Sequence, residues 1–404
     1  NLTALHLGSN QIEVIPPEIG QLIGLSTLHL GANRIEVIPA EIAQLTNLTA
    51  LHLVYNQINI IPPEVDQLSS LVILNLVGNH IQIIPPEIFQ LANLIELHLG
   101  YNQIKVISAE IGQLSNLSRL SLASNKIEVI PTEIGQLTNL SRLGLASNEI
   151  EVIPAEIGQL TNLSGLHLGW NKIEVIPAEI GQLINLTELH LGFNKIEVIP
   201  AEIGQLTRLT RFHLEWNEIK LIPPEIGQLI SLSTLHLGFN QVGTFPQILN
   251  KTTNLKVLNL ESNLIEFLPS MIGNLKSLYD LNLKNNNLTD IPAEINKLFK
   301  LQSLNLNQNR LQKFPTEVNR LPNLRQLYLS DNQIKFLPET IRDLVKLEKL
   351  RLDGNALGQL PIELSQLNLL AELDLSKNLI YQIPPELGSL KRLVSLDLSH
   401  NCLT

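Results

Sequence analysis

Apolar residues along the chain follow two alternating rhythms. Leu2, Leu5 and Leu7 open with a period-two stretch, and Ile12, Ile15, Ile19 and Leu22 follow at spacings of three and four. The pattern returns at Leu25, Leu28, Leu30, Ile35, Ile38, Ile42 and Leu45, and continues without insertion or deletion. The unit reads N-L-x-x-L-x-L-x-x-N-x-I-x-x-I-P-x-E-I-G-Q-L-x, and 404 residues hold seventeen copies of 23 with thirteen residues over. The alternating segment predicts a short strand buried on one face. Copies that arrive from the same direction at each step must pair in parallel. The return arm, Pro-x-Glu-Ile-Gly-Gln-Leu, predicts a short helix with proline at its first position and a carboxylate facing the free N–H groups. A fixed short period means a solenoid, where length alone would suggest two or three globular domains. The expected fold class is therefore an α/β solenoid over residues 1–404.

Two repeated polar positions invite a chemical reading and receive a structural one. Asparagine stands at the tenth position of all eighteen units, from Asn10 and Asn33 to Asn378 and Asn401. A buried amide that both donates and accepts can satisfy backbone groups turn after turn, so these asparagines form a ladder. Glutamate fills the eighteenth position in fourteen of seventeen complete repeats, the exceptions being Ile248, Met271 and Thr340. Those carboxylates are helix-start residues. Phosphate loops, dinucleotide fingerprints, nucleophile elbows and H-E-x-x-H pairs are absent from the sequence. Asp397, Ser399 and His400 are close in sequence, but nothing orients them as a triad. The chain is expected to be non-enzymatic and to need no cofactor.

Composition narrows the class further. A hydrophobic share of 44% and a mean hydropathy of +0.14 raise the question of a membrane protein. The longest apolar stretches, such as Leu71–Leu74, fall well short of the roughly 18 residues that span a bilayer. The net charge is −10, with 11 basic against 22 acidic residues in 1–253 and 17 against 16 in 254–404. That is not the basic footprint of a nucleic-acid binder. One cysteine, Cys402, excludes a disulfide framework. The Asn-X-Ser/Thr triplets at Asn47, Asn116, Asn139, Asn162 and Asn185 sit where glycans would crowd the packed turns. A cytoplasmic protein, or a bacterial one delivered to a host cytosol, fits these features.

The L-x-x-L-x-L-x-x-N core and its I-P-x-E-I-x-x-L return arm resemble the leucine-rich repeat family over the whole chain, in its intracellular 23-residue class. That class includes Ras-binding scaffolds, plant intracellular Ras-group proteins, and the arrays of bacterial Roco GTPases and effectors. The resemblance implies a right-handed horseshoe, with a parallel β-sheet on the concave face and short helices or 3-10 turns on the convex face. It implies a scaffold that holds a folded protein partner, such as a small GTPase or another signalling protein. The alternative is the recognition arm of a multidomain enzyme, a Roco-type GTPase or an effector ligase. A site for a small ligand or glycan ranks last, since an open groove lacks an enclosed pocket. The terminal repeats carry no polar caps, so the chain is expected to be a segment of a longer polypeptide.

Partner information resides in the outward positions of each unit, the third, fourth, sixth, eighth and ninth. The sixth holds eight of the ten histidines, among them His167, His190, His213 and His236. Parallel strands lie about 4.8 Å apart, so these imidazoles are expected to form a continuous exposed row. Three readings of it stay open: inheritance by duplication, a pH-sensitive surface, and a metal site. A straight row converges poorly for zinc, and no metal is assigned. The ninth position holds Trp170, Phe193, Trp216 and Phe239 in consecutive repeats. Large exposed aromatics mark partner sites, and glycine at the eighth position is expected to leave room for the rings. The best partner-binding patch combines those aromatics and histidines with Glu188, Arg211 and Glu215. Tyr55, Tyr101, Tyr328, Arg351 and Asp353 form a secondary set. The near-identical repeats of 1–253 give way to diversified ones in 254–404, with the least regular unit, Ser231 to Thr253, as the seam.

Overall fold

The computed structural model describes residues 2–246, 249 and 251–404, and the chain divides into two compact units, Asn1–Ile196 and Glu197–Thr404. Among the described residues are eighteen strands of three residues each. Nine belong to the first unit, from β1 (Ala4–His6) to β9 (Glu188–His190), and nine to the second, from β10 (Arg211–His213) to β18 (Ser395–Asp397). Within each unit neighbouring strands pair in parallel at 23-residue offset, as with Leu5 opposite Leu28 and Phe212 opposite Leu235. The leucines of the period-two segment point inward, as the alternation requires. Leu28, Ile35, Ile42 and Leu45 are fully buried, each contributing about 1.5–3 kcal/mol by leaving water.

The return arms are five-residue 3-10 helices, such as Ala155–Gln159 and Ala178–Gln182. Proline takes a different place from the one expected. It is the N-cap, extended at φ −66° and ψ 147° in Pro154, and its carbonyl accepts the first helical bond, from Ile157 N–H at 3.1 Å. A second proline, where present, occupies the first helical position, as Pro17 does. Glycine inside the turn answers a spacing demand. A Cβ on Gly158 would lie 2.7 Å from the Glu179 carbonyl of the next turn, so its absence lets successive turns stack closely. Ile248 lies outside the described residues.

The asparagine ladder is present in the fold. Asn56 donates from Nδ2 to the carbonyls of Leu53 (3.1 Å) and Leu30 (3.0 Å), while its Oδ1 accepts from Ile35 N–H at 3.0 Å. One side chain thus ties its own strand end to the preceding repeat. A second, exposed ladder accompanies it, one that the sequence pattern did not suggest. The first-position asparagines Asn47, Asn116, Asn139 and Asn162 each donate Nδ2 to a carbonyl 24 residues earlier, at 2.8–2.9 Å. The amide nitrogen that a glycan would occupy is therefore already engaged.

The least regular repeat does not interrupt pairing. Its own strand, β11 (Thr234–His236), pairs with β12 (Val257–Asn259) of the next repeat in the 23-residue register, with His236 opposite Asn259. What changes at residue 254 is surface composition, whereas the compact units divide after Ile196.

Candidate functional site

The ninth position of every unit has a left-handed backbone. Sixteen non-glycine residues there have φ of 52–59°, and Gly78 and Gly354 have φ of 70° and 66°. The strand must end abruptly so that the next residue, asparagine, can turn inward. Before it does, the ninth N–H still donates to the neighbouring repeat, as Trp170 does to the Gly192 carbonyl at 2.9 Å. The fold imposes the left-handed corner; the choice of side chain is free. Glycine and asparagine tolerate that region, while other residues are disfavoured there by roughly 1–2 kcal/mol. Bulky rings at Trp170, Phe193, Trp216 and Phe239 are therefore the least favoured occupants on backbone grounds.

In the first unit, the Trp170 and Phe193 rings stack with centroids 3.7 Å apart and planes within 10°. In the second, Trp216 and Phe239 stack at 3.9 Å and 7°. Stacking hides one face of each ring, yet Trp170 remains 58% and Trp216 47% exposed. The rings lean on each other, and glycine at the eighth position serves another purpose than the expected one. A Cβ on Gly169 would meet the Gly192 carbonyl at 3.1 Å, so that glycine permits backbone approach between repeats.

Beside each aromatic pair lies a pair of imidazoles. On β8 (Gly165–His167) and β9, His167 and His190 stack at 4.4 Å, and Glu188 Oε2 comes within 3.7 Å of His167 Nε2. Gly165 is opposite Glu188 in register, and a Cβ there would lie 3.5 Å from His167 Nε2. On β10 and β11 the His213 and His236 rings are 4.6 Å apart and tilted by 40°, with Glu215 Oε2 3.8 Å from His213 Nδ1. Arg211, two residues before His213, is exposed. The imidazoles are half-buried among their neighbours, where the sequence suggested an exposed row.

The secondary residues separate. Tyr55 and Tyr101 are both exposed, but Gly78 stands between their repeats, and the Tyr55 ring lies over it in the space that a Cβ would need. Tyr328 is register partner to Arg351 and donates its hydroxyl to Gln326 at 2.9 Å. Asp353 accepts from Ser330 Oγ at 2.5 Å. Charges in this part pair across adjacent repeats, with Lys284 on Glu261 (3.0 Å), Lys349 on Glu372 (2.7 Å) and Arg325 on Glu348. Asp397 accepts from Ser399 N–H at 2.9 Å, which with the Ser399 hydroxyl holds its carboxyl below the usual range.

Two features escaped the sequence reading. Glu96 bridges His98 (3.0 Å) and Arg119 (2.5 Å) on the first unit's strand face. The fourteenth position forms an exposed apolar row in the same unit, with Val14, Val37, Ile60, Ile83, Val106, Val129, Val152 and Val175 at 67–75% exposure. Valine and isoleucine were visible at that position, but their neighbour Ile15 and its equivalents absorbed the core assignment. Short bridges at Val37–Ile60 and Val152–Val175 explain the β-branched preference.

A third imidazole stack, His6–His29–His52, has spacings of 4.6 and 4.1 Å. Burial, then the neighbouring imidazoles, hold His29 and His52 below the ordinary value of 6.5, with Glu96 pulling His52 the other way. The titratable groups facing the stack are His6, His98 and Glu96. Because the unfolded chain binds these protons more readily, stability present above about pH 6.5 is lost as pH falls through that value. The denaturation midpoint should drop between pH 7.5 and pH 5, and H29N/H52N should flatten the dependence. An equal drop in that variant would remove the stack as its cause.

Profiles of known families match most of the chain. The leucine-rich repeat region profile covers residues 102–221 and 166–266, and the leucine rich repeat profile covers 1–58, 69–127 and 299–357. A search of curated proteins yields no match. Among solved structures, the plant peptide hormone receptor RGFR1, in complex with RGF2, is 36% identical with a TM-score of 0.87, over 99% of this chain and 67% of that one. The Leptospira interrogans leucine-rich repeat protein LIC12759 is 37% identical with a TM-score of 0.80, over 97% and 94%. The Listeria monocytogenes internalin InlF is 25% identical with a TM-score of 0.67, over 90% of each.

Proposed function

The chain belongs to the leucine-rich repeat family, and on that footing we propose that it is a non-enzymatic recognition scaffold whose partner is a protein or peptide. The family is in general a class of interaction scaffolds, and the similar plant receptor is seen with a peptide hormone. The observation that carries the proposal is the ring placement at Trp170, Phe193, Trp216 and Phe239. All four occupy backbone that disfavours them; Trp170 and Trp216 leave ring area open, while Phe193 and Phe239 are half-buried, where the sequence suggested exposed rings. A residue type that opposes local preference without serving the fold serves binding instead.

In this reading the aromatic pairs are the anchors, and Glu188, Arg211 and Glu215 set charge selectivity around them. Cytoplasmic signalling is the setting we favour, with a small GTPase as the first partner to try. Among the described residues no helix is long and apolar enough to cross a membrane. The test is capture of nucleotide-loaded small GTPases and of extended peptides by the immobilised chain. A parallel column carries a variant with serine, the natural occupant of Ser124 and Ser147, at all four aromatic positions. Ligands kept by the intact chain and lost by the variant support the site. Equal retention on both columns moves recognition elsewhere.

A further inference from the structure

His213 and His236 project from neighbouring strands with tilted rings, and Glu215 Oε2 stands 3.8 Å from His213 Nδ1. That oxygen is buried and accepts no hydrogen bond from the described residues. One donor atom from each of the three lies within 4.8 Å of the other two, and His167, Glu188 and His190 meet the same spacing in the first unit, there with parallel rings and the carboxylate on the strand of the second imidazole. Among the described residues these two trios are the groups that bring three such donors together. The His6–His29–His52 row is straight, so its outer rings lie two strands apart.

We infer that each trio is a binding site for a divalent transition-metal ion, with two imidazoles and one carboxylate as ligands. The carboxylates are what a bare histidine row lacks, because they turn parallel donors toward a common point. Tetrahedral donors at bonds of about 2.0–2.2 Å stand roughly 3.3–3.6 Å apart. Closure from the observed spacing therefore needs a movement of about 1 Å, within reach of rotation about the side-chain torsions. Bound cation would also compensate the buried Glu215 oxygen, which as an unbonded carboxylate is costly. Imidazole with carboxylate suits Zn2+, Co2+ or Ni2+, while Ca2+ and Mg2+ demand more oxygen ligands. Three protein ligands leave a fourth position, facing outward from the strands, for water or another donor.

The full chain is titrated with Zn2+ against a chelating indicator, and Co2+ is added separately to read its visible absorption. The expected result is roughly two ions per chain with tetrahedral Co2+ bands. H190N and H236N should each remove one ion, and the pair both, with affinity weakened at least about 100-fold. These variants keep the fold, since asparagine occupies the same position at Asn75 and Asn259 and there accepts from the N–H two residues on. E215Q should weaken one site about tenfold or more. H6N/H29N/H52N should leave both ions in place. Absence of binding by the intact chain, undiminished binding by H190N/H236N, or loss in H6N/H29N/H52N (capture by surface histidines only) would each overturn the inference.

Discussion

Replacing Asn148 with leucine should destabilise the chain by about 3–5 kcal/mol, more than any change on the strand faces. The Asn148 side chain donates to the carbonyls of Leu122 and Leu145, both at 3.0 Å, and accepts from Ile127 N–H at 2.9 Å. Leucine would leave the Ile127 N–H buried without a partner, at roughly 1–3 kcal/mol, and take one of two amide donors from each carbonyl, at about 0.5–1.5 kcal/mol each. Asn125 and Asn171 still reach the Leu122 and Leu145 carbonyls at 3.0 Å, and the apolar surface of leucine offsets only part. Repeats are stabilised by their neighbours, and Asn148 ties its repeat to the preceding one, so the interface between those two units weakens. Urea unfolding should show a lower midpoint and broken two-state behaviour. Asn139→Ala, which removes one exposed bond at 2.8 Å, should cost under about 1 kcal/mol. If the two variants unfold alike, the inner ladder is not what holds successive turns together.

Trp170→Gly with Trp216→Gly should abolish partner capture while leaving thermal stability unchanged or slightly raised. Glycine relieves a left-handed corner worth roughly 1–2 kcal/mol per residue. The lost ring stacking against Phe193 and Phe239 is worth about 0.5–1.5 kcal/mol per pair. The two effects oppose and nearly cancel for folding, whereas truncating an aromatic anchor commonly costs about 2 kcal/mol or more of binding. Alanine at the same positions loses the stacking and keeps the strained corner, so it should melt below the glycine variant. A glycine double variant that melts far below the parent would mean that the rings seal the core.

The repeat unit was legible because its information is redundant. Leu28, Ile35 and Asn33 each restate what Leu51, Ile58 and Asn56 say 23 residues later, so a wrong local reading is outvoted. The site was legible only as an address. Sequence spacing placed His213 beside His236, but not the 40° tilt between their rings, nor the approach of Glu215 to within 3.8 Å of His213. Those depend on side-chain torsions, which are decided by packing and local charge. Proline's shift from first helical residue to N-cap had a similar cause, since its fixed φ suits either place. The left-handed corner was invisible because the residues holding it, from Ser9 to Trp216, share no side-chain chemistry. Asparagine comes directly after the corner everywhere, and that invariant successor was the one available signal.

That corner separates two tasks which most proteins must solve with the same residues. Its backbone angles are demanded by the inward-turning asparagine, and its backbone hydrogen bond is made by an N–H that every residue but proline owns. The occupant can therefore be exchanged without disturbing the neighbours' register, as serine, tyrosine, tryptophan, lysine and aspartate along this chain already attest. Each repeat thus carries one replaceable socket on an unchanging frame. Recognition can be rewritten one socket at a time, by point mutation or by duplicating a repeat whole, while the frame goes on folding as before.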